Sequence, residues 1–330
     1  MDEGRPLMLV TGADGFIGSH LAEALADEGF RVRALVQYNS FGYRGNLEGY
    51  PETPDFEITA GDVRDADFCR RLMEGVDTVF HLAALIGIPY SYVSPRSYIE
   101  TNVGGTLNVC QAALAEGTRR VLVTSTSEVY GSALYVPIDE KHPRQPQSPY
   151  SASKMGADAI ALSFHNSFGL PVSIVRPFNT YGPRQSARAF IPTVITQIAA
   201  GAEKIRVGDL RPSRDFNYVA DTVEGFISIA SSPETIGREI NIATGADYTM
   251  ADTLGMIMEI MGAKVEIEVD PARIRPDKSE VERLQGDASM MKRLTAWSPR
   301  HTLREGLEKT VEWFSDPSNL KKYKPSLYNV

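Results

Sequence analysis

From Leu7 to Pro177 the chain alternates short runs of consecutive apolar residues with longer stretches whose apolar positions recur every three or four residues. The runs are LMLVTG, RVRALV, FEITAGD, TVFHLAA, RRVLVTS and PVSIVRP. Continuous apolar runs of this length suit strands covered on both faces, as in a parallel sheet. The intervening stretches predict helices over 16–27, through YIETNVGGTLNVCQAALAEG, and over 149–168. Strand and helix in regular alternation predict βαβ units and an α/β fold, a Rossmann-type doubly wound parallel sheet with helices on both faces. From Phe178 the rhythm breaks into loops interrupted by proline and glycine, with short elements such as ADTVEGFISIA, REINIAT, ADTLGMIMEIM, KVEIEV and LREGLEKTVEWF. We therefore expect residues 1–177 to build mainly the sheet domain. Residues 178–330 should build mainly a smaller α/β substrate domain over the sheet's carboxyl edge, where such folds bind ligands, with the chain free to cross back.

Composition narrows the partners. An apolar content of 42% in 330 residues supports a sizeable core. The net charge of -8, with Lys and Arg scattered along the chain, excludes a nucleic-acid or anionic-membrane surface and leaves a small molecule as the expected ligand. Cys69 and Cys110 have neither metal-binding nor disulfide spacing and sit in apolar helical patterns, so buried thiols in a reducing compartment are expected, with no metal. The start MDEGRPLMLV lacks a secretory signal pattern, and no apolar run approaches the ~20 residues of a membrane span. The expectation is a cytoplasmic enzyme or binding protein.

VTGADGFIGSH closes the first strand and opens a helix, with Gly12, Gly15 and Gly18 three apart. Glycines here allow a tight turn and let the backbone touch a pyrophosphate, whose charge meets the free N–H groups of the helix N-terminus. Asp62, in AGDVRD after the third strand, is placed to bond an adenine amino group. The second strand ends in Val36, Gln37, Tyr38, Asn39 and Ser40, all neutral. It shows neither the acid that bonds the ribose of NAD nor the arginine that accepts the phosphate of NADP. NAD is expected, with NADP left open.

Tyr150 and Lys154 in SPYSASKMGAD are four apart and share one helix face. Only about one free tyrosine in a thousand is phenolate at neutral pH. A neighbouring ammonium, with the positive charge of an oxidised nicotinamide, would favour the phenolate that takes a proton from a sugar hydroxyl.

These motifs, in their order and spacing, resemble the extended short-chain dehydrogenase/reductase family and within it the nucleotide-sugar epimerases and dehydratases. The resemblance rests on TGADGFIGSHL, GDVRD, HLAA, TNVGGTLN, YSASK and RPFNTYGPRQ and covers nearly the whole chain. It implies bound NAD or NADP lined by Gly12, Gly15, Phe16, Ile17, Gln37, Asp62, Val63, Leu82, Ala83, Ala84 and Asn102, together with Tyr150 and Lys154. It also implies a nucleotide-sugar substrate and a homodimer formed through the helices containing 102–113 and 150–168. Thr126, Ser127 and Glu128 of TSTSEVYG resemble the active-site triplet of the 4,6-dehydratases. VRALVQYNS, RQSARAFIP, RDFNYVADTVEGF, RPDKSEVERL and YKPSLYNV are similar to the NAD-dependent UDP-N-acetylglucosamine 4,6-dehydratases of legionaminic acid biosynthesis, although Gln37 replaces the arginine expected there. Arg214 and Arg275 resemble the family's diphosphate-binding arginines, and Asn179 its sugar-nucleotide contact. Arg184 and Arg188 stand open between ligand contact and surface.

The chemistry gives Glu128 a task of its own. Once Tyr150 takes the C4 hydroxyl proton and hydride leaves C4, the ketone acidifies C5–H. A carboxylate within reach can then remove that proton and help expel the C6 hydroxyl as water. The reading is a lyase, a nucleotide-sugar 4,6-dehydratase acting on UDP-N-acetylglucosamine. The alternatives are a UDP-sugar 4-epimerase, a UDP-glucuronate decarboxylase and, outside enzymes, an NAD(P)-binding regulator.

Overall fold

Strands that are buried along their whole length have no polar face to offer water, and layers on both sides must cover them. β1 (Leu7–Thr11) is such a strand, and β4 (Thr78–His81) and β6 (Val172–Pro177) are others. The computed structural model describes residues 4–327, so Met1–Glu3 and the last three residues of YKPSLYNV lie outside the described residues. Between these strands run α1 (Phe16–Asp27), β2 (Arg31–Gln37), β3 (Phe56–Gly61) and α2 (Ala66–Met73). After β4 come α3 (Ile88–Val93), α4 (Pro95–Tyr98), a π-helical segment (Ile99–Gly104), α5 (Gly105–Glu116), β5 (Arg120–Thr124) and α6 (Pro149–Phe168).

Beyond β6 follow β7 (Asn179–Tyr181), α7 (Phe190–Ala199), β8 (Lys204–Val207), β9 (Ser213–Tyr218), α8 (Val219–Ser231) and β10 (Glu239–Ile242). The chain continues with β11 (Asp247–Thr249), α9 (Met250–Ile260), β12 (Glu266–Val269), β13 (Arg283–Leu284), α10 (Ser289–Thr295), α11 (Leu303–Ser315) and α12 (Pro317–Leu320). Seven parallel strands form the large sheet in the order β10-β6-β5-β4-β1-β2-β3. The order reverses between β1 and β4, and the crevice this opens at their carboxyl ends is where such sheets bind ligands. After leaving at Phe178 the chain returns, because β10 pairs with β6 and places Ile240 beside Val175. Smaller sheets join β11-β9-β13, with β7 also on β9, and β12 with β8.

Local chemistry sets the ends of α6. Ser148 and Ser151 form a capping box, Pro149 takes the first turn, and Gly169 closes the helix in the left-handed conformation. The stretch 95–116 differs from the single regular helix expected there. It is helical throughout, but Ile99–Gly104 is wound as a π segment. Within this segment Asn102 is tied to Leu85, its Oδ1 accepting from the Leu85 N–H and its Nδ2 donating to the Leu85 carbonyl, both at 2.9 Å. Cys69 and Cys110 are buried free thiols. Among the described residues, no helix is long and apolar enough to cross a membrane.

The start of α1 is where space is shortest. A Cβ on Gly18 would lie 2.1 Å from the Gly12 carbonyl oxygen, a backbone atom that cannot swing away. Gly18→Ala should therefore cost about 1–3 kcal/mol of stability, the range for overpacking. Gly255, exposed on α9 with nothing within 4 Å of its added Cβ, should gain about 0.5–1 kcal/mol on conversion to Ala. Denaturant midpoints of the two variants, read against wild type, should move in opposite directions.

Candidate active site

The β1–α1 loop lies backbone against backbone on the end of β4. Gly12 has φ 71°, and a Cβ there would meet the Ala83 nitrogen at 2.8 Å. Gly15 caps α1 without any side-chain bond, so the first N–H groups of the helix are left to a ligand. Thr11 and His81 lock the other side of this contact. The Thr11 hydroxyl accepts from the Leu82 and Ala83 N–H groups, each at 3.1 Å, so its proton goes to His81 Nδ1 at 2.8 Å. His81 is then neutral and donates through Nε2 to Thr106, consistent with burial pushing the imidazole down to about 3.

A cavity of about 830 Å³ follows the crevice. Gly12, Gly15, Phe16 and Ile17 line it at the glycine loop, Gln37, Asp62 and Val63 at the ends of β2 and β3, and Leu82, Ala83 and Ala84 after β4. Thr126, Ser127, Glu128, Tyr150 and Lys154 come together on the same wall system, with Asn179 and Arg275 from the second half of the chain. The buried Thr124 Oγ1 and Asn179 Oδ1, both on lining residues, have no hydrogen-bond partner, as groups awaiting a ligand would. Asn102 and Arg214 are not on the wall. Asn102 is buried behind it, holding Leu85 and donating to Ser153 at 2.9 Å.

One feature where β2 ends was not singled out by sequence: Asp14, inside the glycine loop, accepts the Gln37 N–H at 3.2 Å and so brings a carboxylate beside the neutral end of β2. Burial raises its carboxyl, and the backbone N–H bonds oppose that rise. Asp62 is engaged by Arg64 at 2.6 Å, which holds its carboxyl below the ordinary value. The signal for Asp14 was present as an acid between two loop glycines.

Thr126 lies two residues past β5, and the Glu128 N–H donates to its hydroxyl at 3.2 Å, capping Ser127–Tyr130, the single 3₁₀ turn that carries Glu128. Tyr150 in the first turn of α6 packs edge-on against Tyr98, with ring centres 6.2 Å apart. Burial pushes the Tyr150 phenol well above its ordinary value; the facing Thr126 hydroxyl opposes this, while the charge of Glu128 adds to it. The expected depression by Lys154 is absent from the protein alone. Burial has instead pushed the Lys154 ammonium down to about 8, with Asp158 working the other way. Desolvation disfavours the charged form of each partner, and here it outweighs their mutual attraction.

Next to Glu128, Arg275 Nη1 lies 3.9 Å from its carboxylate and 3.6 Å from Glu280. Arg214 is buried and pairs with the same Glu280 carboxylate at 3.0 Å. Glu280 thus ties the two expected arginines together, a role hidden in RPDKSEV because the pairing crosses from β9 to a distant loop. Arg184 lines the cavity while paired with Glu23 at 2.9 Å.

The family model for GDP-mannose 4,6 dehydratase matches residues 9–310. The chain is 33% identical to a dTDP-glucose 4,6-dehydratase of Streptomyces antibioticus, over 94% of this chain and 92% of that one. It is also 33% identical to a UDP-glucose 4-epimerase of Mycolicibacterium smegmatis, over 94% and 99%. The crystal structure of DesIV, a dTDP-glucose 4,6-dehydratase from Streptomyces venezuelae with NAD bound, superposes with a TM-score of 0.87 at 31% identity, covering 97% of this chain and 99% of that one. With its glycine loop, its Tyr150–Lys154 helix and a match of this extent, the chain belongs to the GDP-mannose 4,6-dehydratase family of extended short-chain dehydrogenases/reductases.

Proposed function

We propose that the protein is an NAD-dependent nucleotide-sugar 4,6-dehydratase, a hydro-lyase, and that its substrate is UDP-N-acetylglucosamine. The observation that carries the reaction is a carboxylate, Glu128, in the same cavity as Tyr150 and Lys154. A 4-epimerase needs the tyrosine and lysine but no base for C5. NAD suits the bare Gly12 cradle and the uncapped start of α1, and DesIV carries it in a superposable fold. The choice of UDP-N-acetylglucosamine rests on the subgroup motifs RQSARAFIP and RPDKSEVERL. Asn179 would contact the sugar nucleotide and Arg275 its diphosphate, where guanidinium forks match phosphate oxygens, while Arg214, buried off the wall, holds Glu280 beside Arg275. A homodimer through α5 and α6 belongs to the same reading, with Leu114 and Phe168 standing exposed on those helices. The free buried thiols suit the cytoplasm.

In this reading Gly12, Gly15 and the α1 N-terminus hold the pyrophosphate, and Ala83 and Ala84 border the path toward Tyr150. The nicotinamide, when bound, accepts hydride from C4 and later returns it to C6. Tyr150 takes the C4 hydroxyl proton, Thr126 hydrogen-bonds the same oxygen, and Lys154 lends positive charge while it remains an ammonium. Glu128 then removes the C5 proton and passes a proton to the departing C6 oxygen, with Ser127 holding that hydroxyl, and a solvent-derived proton returns to C5 as hydride returns to C6. Atoms balance as sugar nucleotide giving 4-keto-6-deoxy sugar nucleotide and water, without net oxidation.

Three outcomes follow. Purified protein, denatured and analysed by mass spectrometry, should release NAD; protein that folds but carries none and takes up neither NAD nor NADP would remove the mechanism. Incubation with UDP-N-acetylglucosamine should yield a product lighter by one water, labelled at C5 when made in heavy water. Glu128→Gln should slow that dehydration ~100-fold or more while reduced nicotinamide accumulates. Turnover of dTDP-glucose alone would change the substrate, and inversion at C4 with the C6 hydroxyl retained would favour the epimerase. Because Lys154 is charged below about 8, turnover should fall as pH rises through that value, and Lys154→Met should lose both rate and this alkaline limb.

A further inference from the structure

Beneath the catalytic loop lies a polar cluster that the reaction as described does not use. Arg176 on β6 and Asp158 on α6 are both fully buried and ion-paired at 2.8 Å. Ser125 donates to the same Asp158 oxygen at 2.7 Å, and Arg176 Nη1 donates to the Tyr130 hydroxyl at 2.7 Å. The guanidinium also lies 4.9 Å from the centre of the Tyr130 ring. Ser125 and Tyr130 bracket the segment Thr126–Val129, so one ion pair grips both ends of the stretch that holds Thr126 and Glu128. Asp158 stands one helical turn beyond Lys154 on the same face of α6.

We propose that the Arg176–Asp158 pair is a positioning device for the reaction, clamping the loop that carries Thr126 and Glu128 to the helix that carries Tyr150 and Lys154, and setting the charge behind Lys154. The inference rests on the dehydratase reading for its effect on rate, but not for its effect on Lys154. A buried ion pair is weak evidence for stability, since apolar replacements of both partners are often neutral. This pair does what an apolar pair could not. It bonds two points of a loop directionally, and it leaves Asp158 Oδ1 without a hydrogen-bond partner, its charge acting on Lys154. Arg176 offsets part of that charge. Its second carboxylate, Glu239, is shared with Arg144, so Glu239 keeps a partner when Arg176 is removed. The other groups acting on Tyr150 and Lys154 are His81 from β4, Tyr98 from α4 and Glu128 from the loop.

The signs give the test. Asp158→Asn removes a negative charge, so Lys154 should lose its proton at lower pH than in wild type. Arg176→Met leaves that negative charge less compensated, so Lys154 should hold its proton to higher pH. The double variant should return toward wild type. Lysine-selective NMR titration of the folded protein, with the Lys154 signal assigned by its loss in Lys154→Met, reads this without substrate. With substrate, the alkaline limb of kcat should move the same way, and kcat should fall ~10-fold or more in both single variants with KM within about threefold. Arg176→Lys keeps the charge but not the fork, so it should lose rate while leaving the Lys154 titration near wild type. If Arg176→Met does not fold, Asp158→Asn, Arg176→Lys and the double variant carry the test. A Lys154 titration that moves in neither single variant, or in the same direction in both, overturns the proposal. Full kcat in Arg176→Lys and Asp158→Asn overturns it as well. A wild type that turns over no nucleotide sugar while Lys154 shifts as described would overturn the dehydratase reading instead.

Discussion

The contact of the Gly12 backbone with Ala83 is the constraint on which the site is built. A side chain at Gly12 would push the β1–α1 loop off the end of β4 and close the crevice that the reversal of strand order opens. The contact is held from behind rather than from the cavity. Thr11 accepts two N–H groups from the turn after β4 and passes its own proton to His81, whose burial keeps it neutral and able to receive it. The chain of bonds continues through Thr106 to the Asn102 carbonyl, and the Asn102 side chain then fixes Leu85. The cavity wall from Leu82 to Leu85 is therefore set by polar groups that never face the ligand.

Electrostatics differ between two neighbouring parts of the cavity that meet at Glu128. Near α6 the dominant effect is desolvation, which lifts the Tyr150 phenol and depresses the Lys154 ammonium. Beside Glu128, Arg214 and Arg275 share Glu280, and Arg275 approaches Glu128 as well, so an acidic protein gathers two cations at one part of its cavity.

The relatives at similar identity include dehydratases and an epimerase, and one scaffold can host different reactions. Overall likeness therefore supports the family more strongly than the reaction. The proposed dehydratase reading turns on Glu128, a single carboxylate in the 3₁₀ turn after β5, and on what holds it in place.

Residue pattern alone determined much of this protein. The strands of the parallel sheet through β6 were legible because strands buried on both faces must be apolar throughout, and α6 because its Ser148 cap, Pro149 and Gly169 are local devices. The glycine loop and the Tyr150–Lys154 pair could be picked out by their spacing along the chain, whereas Glu128 was picked out by the resemblance of TSTSEVYG and by what a carboxylate could do there. Tertiary structure alone decided the return of β10 to the sheet, the π segment around Asn102, the placing of Asp14 under Gln37, and the binding of Arg214 to Glu280. It also decided that Arg176 and Asp158, unremarkable in sequence, meet beneath the catalytic loop. Each of these joins residues far apart in the chain, and a polar side chain carries no mark of its partner until folding removes water from both and leaves them only each other to bond.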